Sequence, residues 1–203
     1  MRIGVIDYDA GNLKSVETAL QHLGVDFLIS DKPEELSQVD KIIFPGVGEA
    51  KSAMENLRSR GMDEFITNSH KIGKPILGIC IGSQILLDSS DERQTKCLGL
   101  IPGKAIKFQK KEGFKVPQIG WNSVKWDKDH ELFYGIPQNS SFFFVHSYYT
   151  KPTNPQNILA ESIYSEPFVC GLIKDNLVAT QFHPEKSGPL GLRLLKNFIE
   201  RVS

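Results

Sequence analysis

Cysteine is scarce: the 203 residues hold three, Cys80, Cys97 and Cys170, and no two are spaced as CxxC. An odd, scattered set supports neither a disulfide framework nor a zinc site, so no metal is expected. An excess of charge of one sign is also missing. Lys plus Arg and Asp plus Glu number 24 each, for a formal net charge of zero. Neither nucleic acid nor an anionic membrane is expected as a partner. No apolar run approaches the roughly 20 residues of a membrane-spanning helix. The opening Met1-Arg2-Ile3-Gly4-Val5-Ile6-Asp7 reads directly as a strand, so no signal peptide is expected and a reducing cytoplasm is the expected location. P-loop and GxGxxG motifs are absent, and no cofactor is expected. Without repeats or a dividing linker, residues 1–203 are expected to form one domain, long enough to bury its core without disulfides.

What is present is an ordinary globular mixture, 40% apolar and 24% charged. Short apolar runs at 2–7, 26–29, 41–44 and 75–79 predict strands. Between the first two, Leu13, Val16, Leu20 and Leu23 repeat at spacings of three and four, one face of a helix that Gly24 ends. Further helices are expected from about residue 50 and around 84–87. Strands alternating with helices predict an α/β fold with a mostly parallel central sheet flanked by helices. From 103 to 177 the pattern changes to aromatic and β-branched runs split by turns, at 105–108, 123–126, 141–145, 158–162 and 168–173. These predict an antiparallel extension of the sheet. A last helix is expected with Leu194, Leu195, Phe198, Ile199 and Val202 on one side.

One segment carries chemistry openly: Pro75-Ile-Leu-Gly-Ile-Cys80-Ile-Gly-Ser-Gln84. A cysteine between a buried strand and a helix, with Gly78 and Gly82 two residues to either side, follows the logic of a nucleophile elbow. The turn lifts the thiol to the carboxyl edge of the sheet, and a helix N-terminus there favours the thiolate. Taken alone, the same segment is also compatible with a buried, inert thiol among packing glycines. Cys97 and Cys170 lack such a setting and read as packing residues. A thiolate that attacks an amide needs a histidine held by a third group. Leu177-Val-Ala-Thr-Gln181-Phe-His183-Pro-Glu185 supplies one at the end of another apolar strand, with Pro184 fixing the turn. Of the other histidines, His22, His70 and His130 are expected to face solvent, and His146 reads as a hydrogen-bonded residue at a strand end. Pro45-Gly46-Val47-Gly48 is a glycine turn able to aim amides at developing negative charge, a weak signal alone.

Together, GxCxGxQ at 78–84 and HPE at 183–185 make the whole chain resemble the class I (triad) glutamine amidotransferases. Within them, the segments Asp7-Tyr-Asp-Ala-Gly-Asn-Leu-Lys-Ser-Val16, Pro45-Gly-Val-Gly48, Pro117-Gln-Ile-Gly-Trp-Asn122 and Phe144-Val-His-Ser-Tyr-Tyr149 are most similar to the glutaminase subunits of imidazole glycerol phosphate synthases. The resemblance implies that Cys80 attacks the glutamine side chain to form a thioester. It implies His183 as acid and base, oriented by Glu185. Gly46, Val47 and Gly48 with the amide after Cys80 would form the oxyanion hole, and Gln84, Ser147 and Tyr148 would hold the substrate. Asn12, Gln118, Ile119, Trp121 and Asn122 would face a HisF-type (β/α)8 cyclase, which would use the ammonia to form imidazole glycerol phosphate and AICAR in histidine biosynthesis. The chain departs from the subunit pattern at Asp9, Ser83 and Gln118, where Gly, Met and His are usual. Gln118 and Asp9 leave open a paralogue that feeds a HisF-like synthase for another product, such as a surface-polysaccharide amino sugar or amidine. A non-catalytic module would need none of Cys80, His183 and Glu185. A stand-alone cysteine hydrolase would not need the IGWN segment.

Overall fold

The computed structural model of the protein describes every residue except 10–12 and 128. In chain order the elements are β1 (Arg2–Ile6), α1 (Leu13–His22), β2 (Asp26–Ser30), α2 (Pro33–Leu36), β3 (Lys41–Gly46), α3 (Ala50–Ser59), α4 (Met62–Lys71), β4 (Ile76–Cys80) and α5 (Ile81–Gln84). Then come β5 (Leu87–Ser90), β6 (Thr95–Lys96), β7 (Ile101–Lys107), β8 (Gln118–Ser123), β9 (Ser141–His146), β10 (Tyr148–Pro152), β11 (Ile158–Ile163), β12 (Pro167–Lys174), β13 (Leu177–Thr180) and α6 (Gly188–Arg201).

Among the described residues, one sheet runs in the order β2-β1-β3-β4-β13-β12-β10-β7-β5-β6, with β11 paired to β12. From β2 to β13 all neighbours are parallel. The β13–β12, β12–β10 and β10–β7 pairings are antiparallel. The sheet is therefore the parallel one with an antiparallel extension that the strand and helix alternation predicts. Strands β1, β3, β4 and β13 are buried on both faces, and alternate residues feed two cores. Ile3, Val5, Ile43 and Leu77 join Val16 and Leu20 of α1 and Leu194, Leu195 and Phe198 of α6. Ile42, Phe44, Ile76 and Leu177 join Met54 and Leu57 of α3 and Ile66 of α4. Successive strand side chains point to opposite faces, so an unbroken apolar run is what a doubly covered strand requires.

β8 and β9 form a separate antiparallel pair that lies over the carboxyl edge of this sheet, and Gln118 is paired with His146 in their register. Phe142 and Phe144 of β9 point inward, and Phe142 stacks on Phe182 at 4.3 Å. Backbone ties seat the ribbon: His183 N donates to Phe143 O at 2.9 Å, and Phe143 N donates to Ser187 Oγ at 3.0 Å.

Two expected elements fall elsewhere. The helix after Cys80 is the four-residue α5, and strand β5 begins at Leu87, inside the run expected to be helical. The strand expected at 123–126 lies at Gln118–Ser123; Lys125 keeps only an isolated bridge to Glu161. Val202 is buried as expected but lies beyond α6. None of the helices among the described residues is long and apolar enough to cross a membrane.

Candidate active site

Three adjacent parallel strands end together. In the β3–β4 register Gly46 is opposite Cys80, and in the β4–β13 register Ile79 is opposite Thr180. The loop after β3, the elbow after β4 and the turn after β13 therefore share one edge, where open parallel sheets bind ligands. A cleft of about 250 Å3 opens there, lined by Val47, Gly48, Cys80, Gln84, Ser147, Tyr148 and His183, among others.

Cys80 has φ 56° and ψ −111°. A side chain other than glycine rarely adopts such a backbone, at a cost of about 1–3 kcal/mol, and the surrounding packing must impose it. Gly82 shows how. A methyl group there would fall on the Phe44 carbonyl oxygen of β3, so its absence lets α5 descend onto the strand. Ser83, buried, closes the turn by donating to Cys80 O at 2.7 Å. With only four residues, α5 has too few aligned peptides for a full helix macrodipole. The expected help to the thiolate from a helix must come instead from side chains.

His183 is one of them. Its Nδ1 is 2.7 Å from Glu185 Oε1, and the two side chains are 1% and 3% exposed. The carboxylate fixes the tautomer with the proton on Nδ1 and leaves Nε2 for the cleft. Nε2 makes no hydrogen bond in this resting geometry, yet it lies close enough to Cys80 to be coupled to it. Burial by itself pushes the imidazole pKa down. The nearby Cys80 and the hydrogen bond and charge of Glu185 outweigh that, and the pKa rises above its ordinary 6.5 to about 10. Such looseness is common in a free enzyme and tightens when substrate binds. The turn is rigid: Ser187 Oγ donates to His183 O at 2.6 Å, and a methyl group on Gly191 of α6 would strike Pro184 O.

Gly46 ends β3 under the Tyr8 ring and Ile81, which leave no space for a Cβ. Tyr8 is fully buried, and its hydroxyl has no hydrogen-bond partner among the described residues. Burial, then the Cys80 charge, raises its pKa well above 10. Gly48 has φ +97°, open to glycine and strained for other residues.

The other expected residues divide. Ser147 and Tyr148 line the cleft, and Gln84 is buried beside it with its Oε1 unpartnered. Ile119 and Trp121 are 66% and 59% exposed on the outer face of β8, and Asn122 beside them donates to Ile163 O at 2.8 Å. Gln118 differs: it is 3% exposed and points inward to His146. Asp9 forms an ion pair with Arg60. Asn12 lies outside the described residues. His146 is hydrogen-bonded at the end of its strand, as expected. His22 is exposed, whereas His70 and His130 are engaged rather than free: His70 Nδ1 meets Asn176 Oδ1 at 2.6 Å, and His130 accepts from Leu132 N. Sequence reasoning missed Gln181, whose Nε2 is 3.7 Å from Cys80 Sγ. It also missed Glu92, which lines the cleft while accepting from Ala50 N at 2.7 Å. The spacing of Gln181, two residues before His183, was the available signal for the first; nothing in the sequence signals the second. Cys97 and Cys170 are buried, and desolvation holds the first thiol up at about 11 and the second well above 9. Cys80 is thus the one cysteine that opens on the cleft.

Known proteins share both sequence and fold. The glutamine amidotransferase class-I family matches residues 4–202. Imidazole glycerol phosphate synthase subunit HisH of Neisseria meningitidis is 47% identical, with 98% of this chain and 99% of the relative covered. The HisH subunit of Methanosarcina barkeri is 47% identical over 98% of each chain, and that of Chlorobaculum tepidum 45% over 97% and 98%. Among solved structures, PurLQS from Thermotoga maritima superposes with a TM-score of 0.73 at 19% identity, covering 100% of this chain and 99% of that one. The glutaminase domain of Trypanosoma brucei CTPS gives 0.65 at 16%, covering 98% and 94%. At those identities the structures speak for the fold alone; the sequence matches go further, and by them the chain belongs to the glutamine amidotransferase class-I family.

Proposed function

We propose that this chain is the glutaminase subunit of an imidazole glycerol phosphate synthase, one domain spanning residues 1–203 and working in the cytoplasm. It hydrolyses L-glutamine to glutamate and passes ammonia to a HisF-type (β/α)8 cyclase for histidine biosynthesis. The observation that supports the chemistry most is the meeting of Cys80, the His183–Glu185 pair and the Gly46–Gly48 turn at the edge of three adjacent strands. The full-length similarity to subunits named HisH supports the pathway.

The steps follow from the geometry. The Cys80 thiolate attacks the side-chain carbonyl carbon of glutamine, and a C–S bond forms as the carbonyl oxygen becomes anionic. Backbone amides of the 46–48 turn and of Ile81 receive that charge. His183, protonated and held by Glu185, gives its proton to the amide nitrogen, the C–N bond breaks and ammonia leaves. Neutral His183 then takes a proton from water, whose oxygen attacks the thioester. The C–S bond breaks, glutamate departs and the Cys80–His183 pair is restored. Gln84, Ser147 and Tyr148 hold the amino acid.

Free ammonia is largely protonated near neutral pH, so it must reach its acceptor by a sheltered route. The exposed Ile119 and Trp121 offer the apolar anchors of a docking face beside the cleft. The departure at Gln118 is buried, so it does not alter that face and does not favour a different acceptor. The test is glutamate release by the purified chain, alone and with a HisF-type cyclase and its ribonucleotide ligand. Weak activity alone and strong stimulation in the mixture are expected. Absence of both complex and stimulation would refute the pathway, and full activity of Cys80→Ala would refute the chemistry.

A further inference from the structure

A chain of buried hydrogen bonds connects the cleft's sulfur to the strand that carries Ile119 and Trp121. Gln181 Nε2 is 3.7 Å from Cys80 Sγ, and its Oε1 accepts from Gln84 Nε2 at 2.9 Å. Gln84 Nε2 also donates to Tyr148 O at 2.9 Å. The same carbonyl is 2.8 Å from His146 Nδ1, and His146 Nε2 is 3.1 Å from Gln118 Oε1. Gln181, Gln84, Gln118 and His146 are each 5% exposed or less.

The polarity of this chain is forced from its middle. Tyr148 O can only accept, so both groups facing it must donate. Gln84 therefore turns its nitrogen inward, and the second N–H of that nitrogen requires the oxygen of Gln181. The nitrogen of Gln181 is then the end left for the sulfur. On the other arm, His146 must carry its proton on Nδ1. The ring sits among Phe108, Phe144 and Phe168, and this desolvated cage keeps it neutral. The two arms meet only at Tyr148 O, which accepts from both, so the arm through His146 and Gln118 carries no polarity onward to the sulfur. On the sulfur's side of that carbonyl, every polar group points the way that delivers an N–H to Cys80.

We propose that Gln181 is a positioning residue for the Cys80 sulfur, its amide oriented by Gln84 and through it by Tyr148 O. The role of Gln181 rests on Cys80 being the nucleophile, as proposed above. The sulfur's other titratable neighbours, His183 and Tyr8, stay intact in the variants below.

The test is the pH dependence of Cys80 alkylation by iodoacetamide, followed by intact mass. It needs neither glutamine turnover nor a partner, so it can fail independently of the proposed pathway. Gln181→Met keeps the shape and removes the N–H. Its alkylation midpoint is expected to rise by about one unit or more, a tenfold or larger loss of thiolate at fixed pH. Gln181→Ala, which also removes the N–H, should shift the midpoint the same way. An unchanged midpoint in a folded Gln181→Met protein overturns the proposal. Should that variant not fold, an unchanged midpoint in Gln181→Ala overturns it.

Discussion

Acid should destabilise this fold through His146, by an amount the structure allows to be worked out. The ring is 5% exposed inside its aromatic cage. Burial pushes its pKa from 6.5 down to about 4, His183 adds to the fall, and the hydrogen bond to Tyr148 O opposes it. In the unfolded chain the same histidine titrates near 6.5. Above that pH both states are neutral and the residue is indifferent to pH. As pH falls below about 6.5 the unfolded state takes up a proton and the native state does not, so stability is lost. The loss ends near pH 4, where the native ring protonates too. It amounts to about 3 kcal/mol in all. Carboxylates and His183 also respond to acid, so the measurement is a difference. His146→Gln can keep a donor to Tyr148 O without titrating. Urea denaturation of both proteins at pH 7.5 and 4.5 gives two stability gaps. The parent's advantage at pH 7.5 should shrink by about 2–3 kcal/mol at pH 4.5. A gap independent of pH would refute the claim that the ring is held neutral.

Gly82→Ala forces α5 away from the Phe44 carbonyl, which should cost about 1–3 kcal/mol in urea denaturation and, by displacing Cys80, about a hundredfold in glutamate release; parental stability and rate would show that the close approach is not needed. Glu185→Gln keeps the size of the residue bonded to His183 but removes the charge, so kcat for glutamate release should fall on the order of a hundredfold or more with the Tm little changed; an unchanged kcat would remove Glu185 from the mechanism. Trp121→Ala, at an exposed position, should leave stability within about 0.5 kcal/mol. It should weaken binding of a HisF-type cyclase by about 2 kcal/mol or more in calorimetry, and unaltered affinity would place the docking face elsewhere.

The parallel half of the fold is legible in the sequence because β1, β3, β4 and β13 are buried on both faces and announce themselves as apolar runs. The antiparallel half is less so. At 123–126 the residues Val124 and Trp126 look like strand, but they are buried beyond the end of β8. The strand itself, Gln-Ile-Gly-Trp-Asn-Ser, is built for one wet face and alternates accordingly. That alternation also settles Gln118: two places before a glycine and three before an exposed Trp121, it must face inward. The helix expected around 84–87 ends at Gln84 because Ile85, Leu86 and Leu87 are buried where the chain turns to start β5. Apolar runs of that length are compatible with either state until their neighbours are known. The Cys80, His183 and Glu185 constellation was readable because elbow chemistry demands particular residues at fixed short spacings. Gln181 offered only its spacing from His183, because its role depends on Gln84, remote in sequence, which meets it and Tyr148 O only in the folded chain.

The backbone angle at Cys80 has a consequence for how this protein can change over time. Position 80 suits glycine best, since glycine alone adopts such angles without strain. A variant that exchanges the whole CH2SH side chain for a hydrogen, making glycine, would relax the turn, so physical stability and catalysis pull in opposite directions at this one codon. A lineage released from the need for catalysis would be expected to slide toward the relaxed residue. The sulfur on an unfavourable backbone is thus a mark of continuing use, and it argues, without comparison to any relative, against a silent module that merely kept the fold.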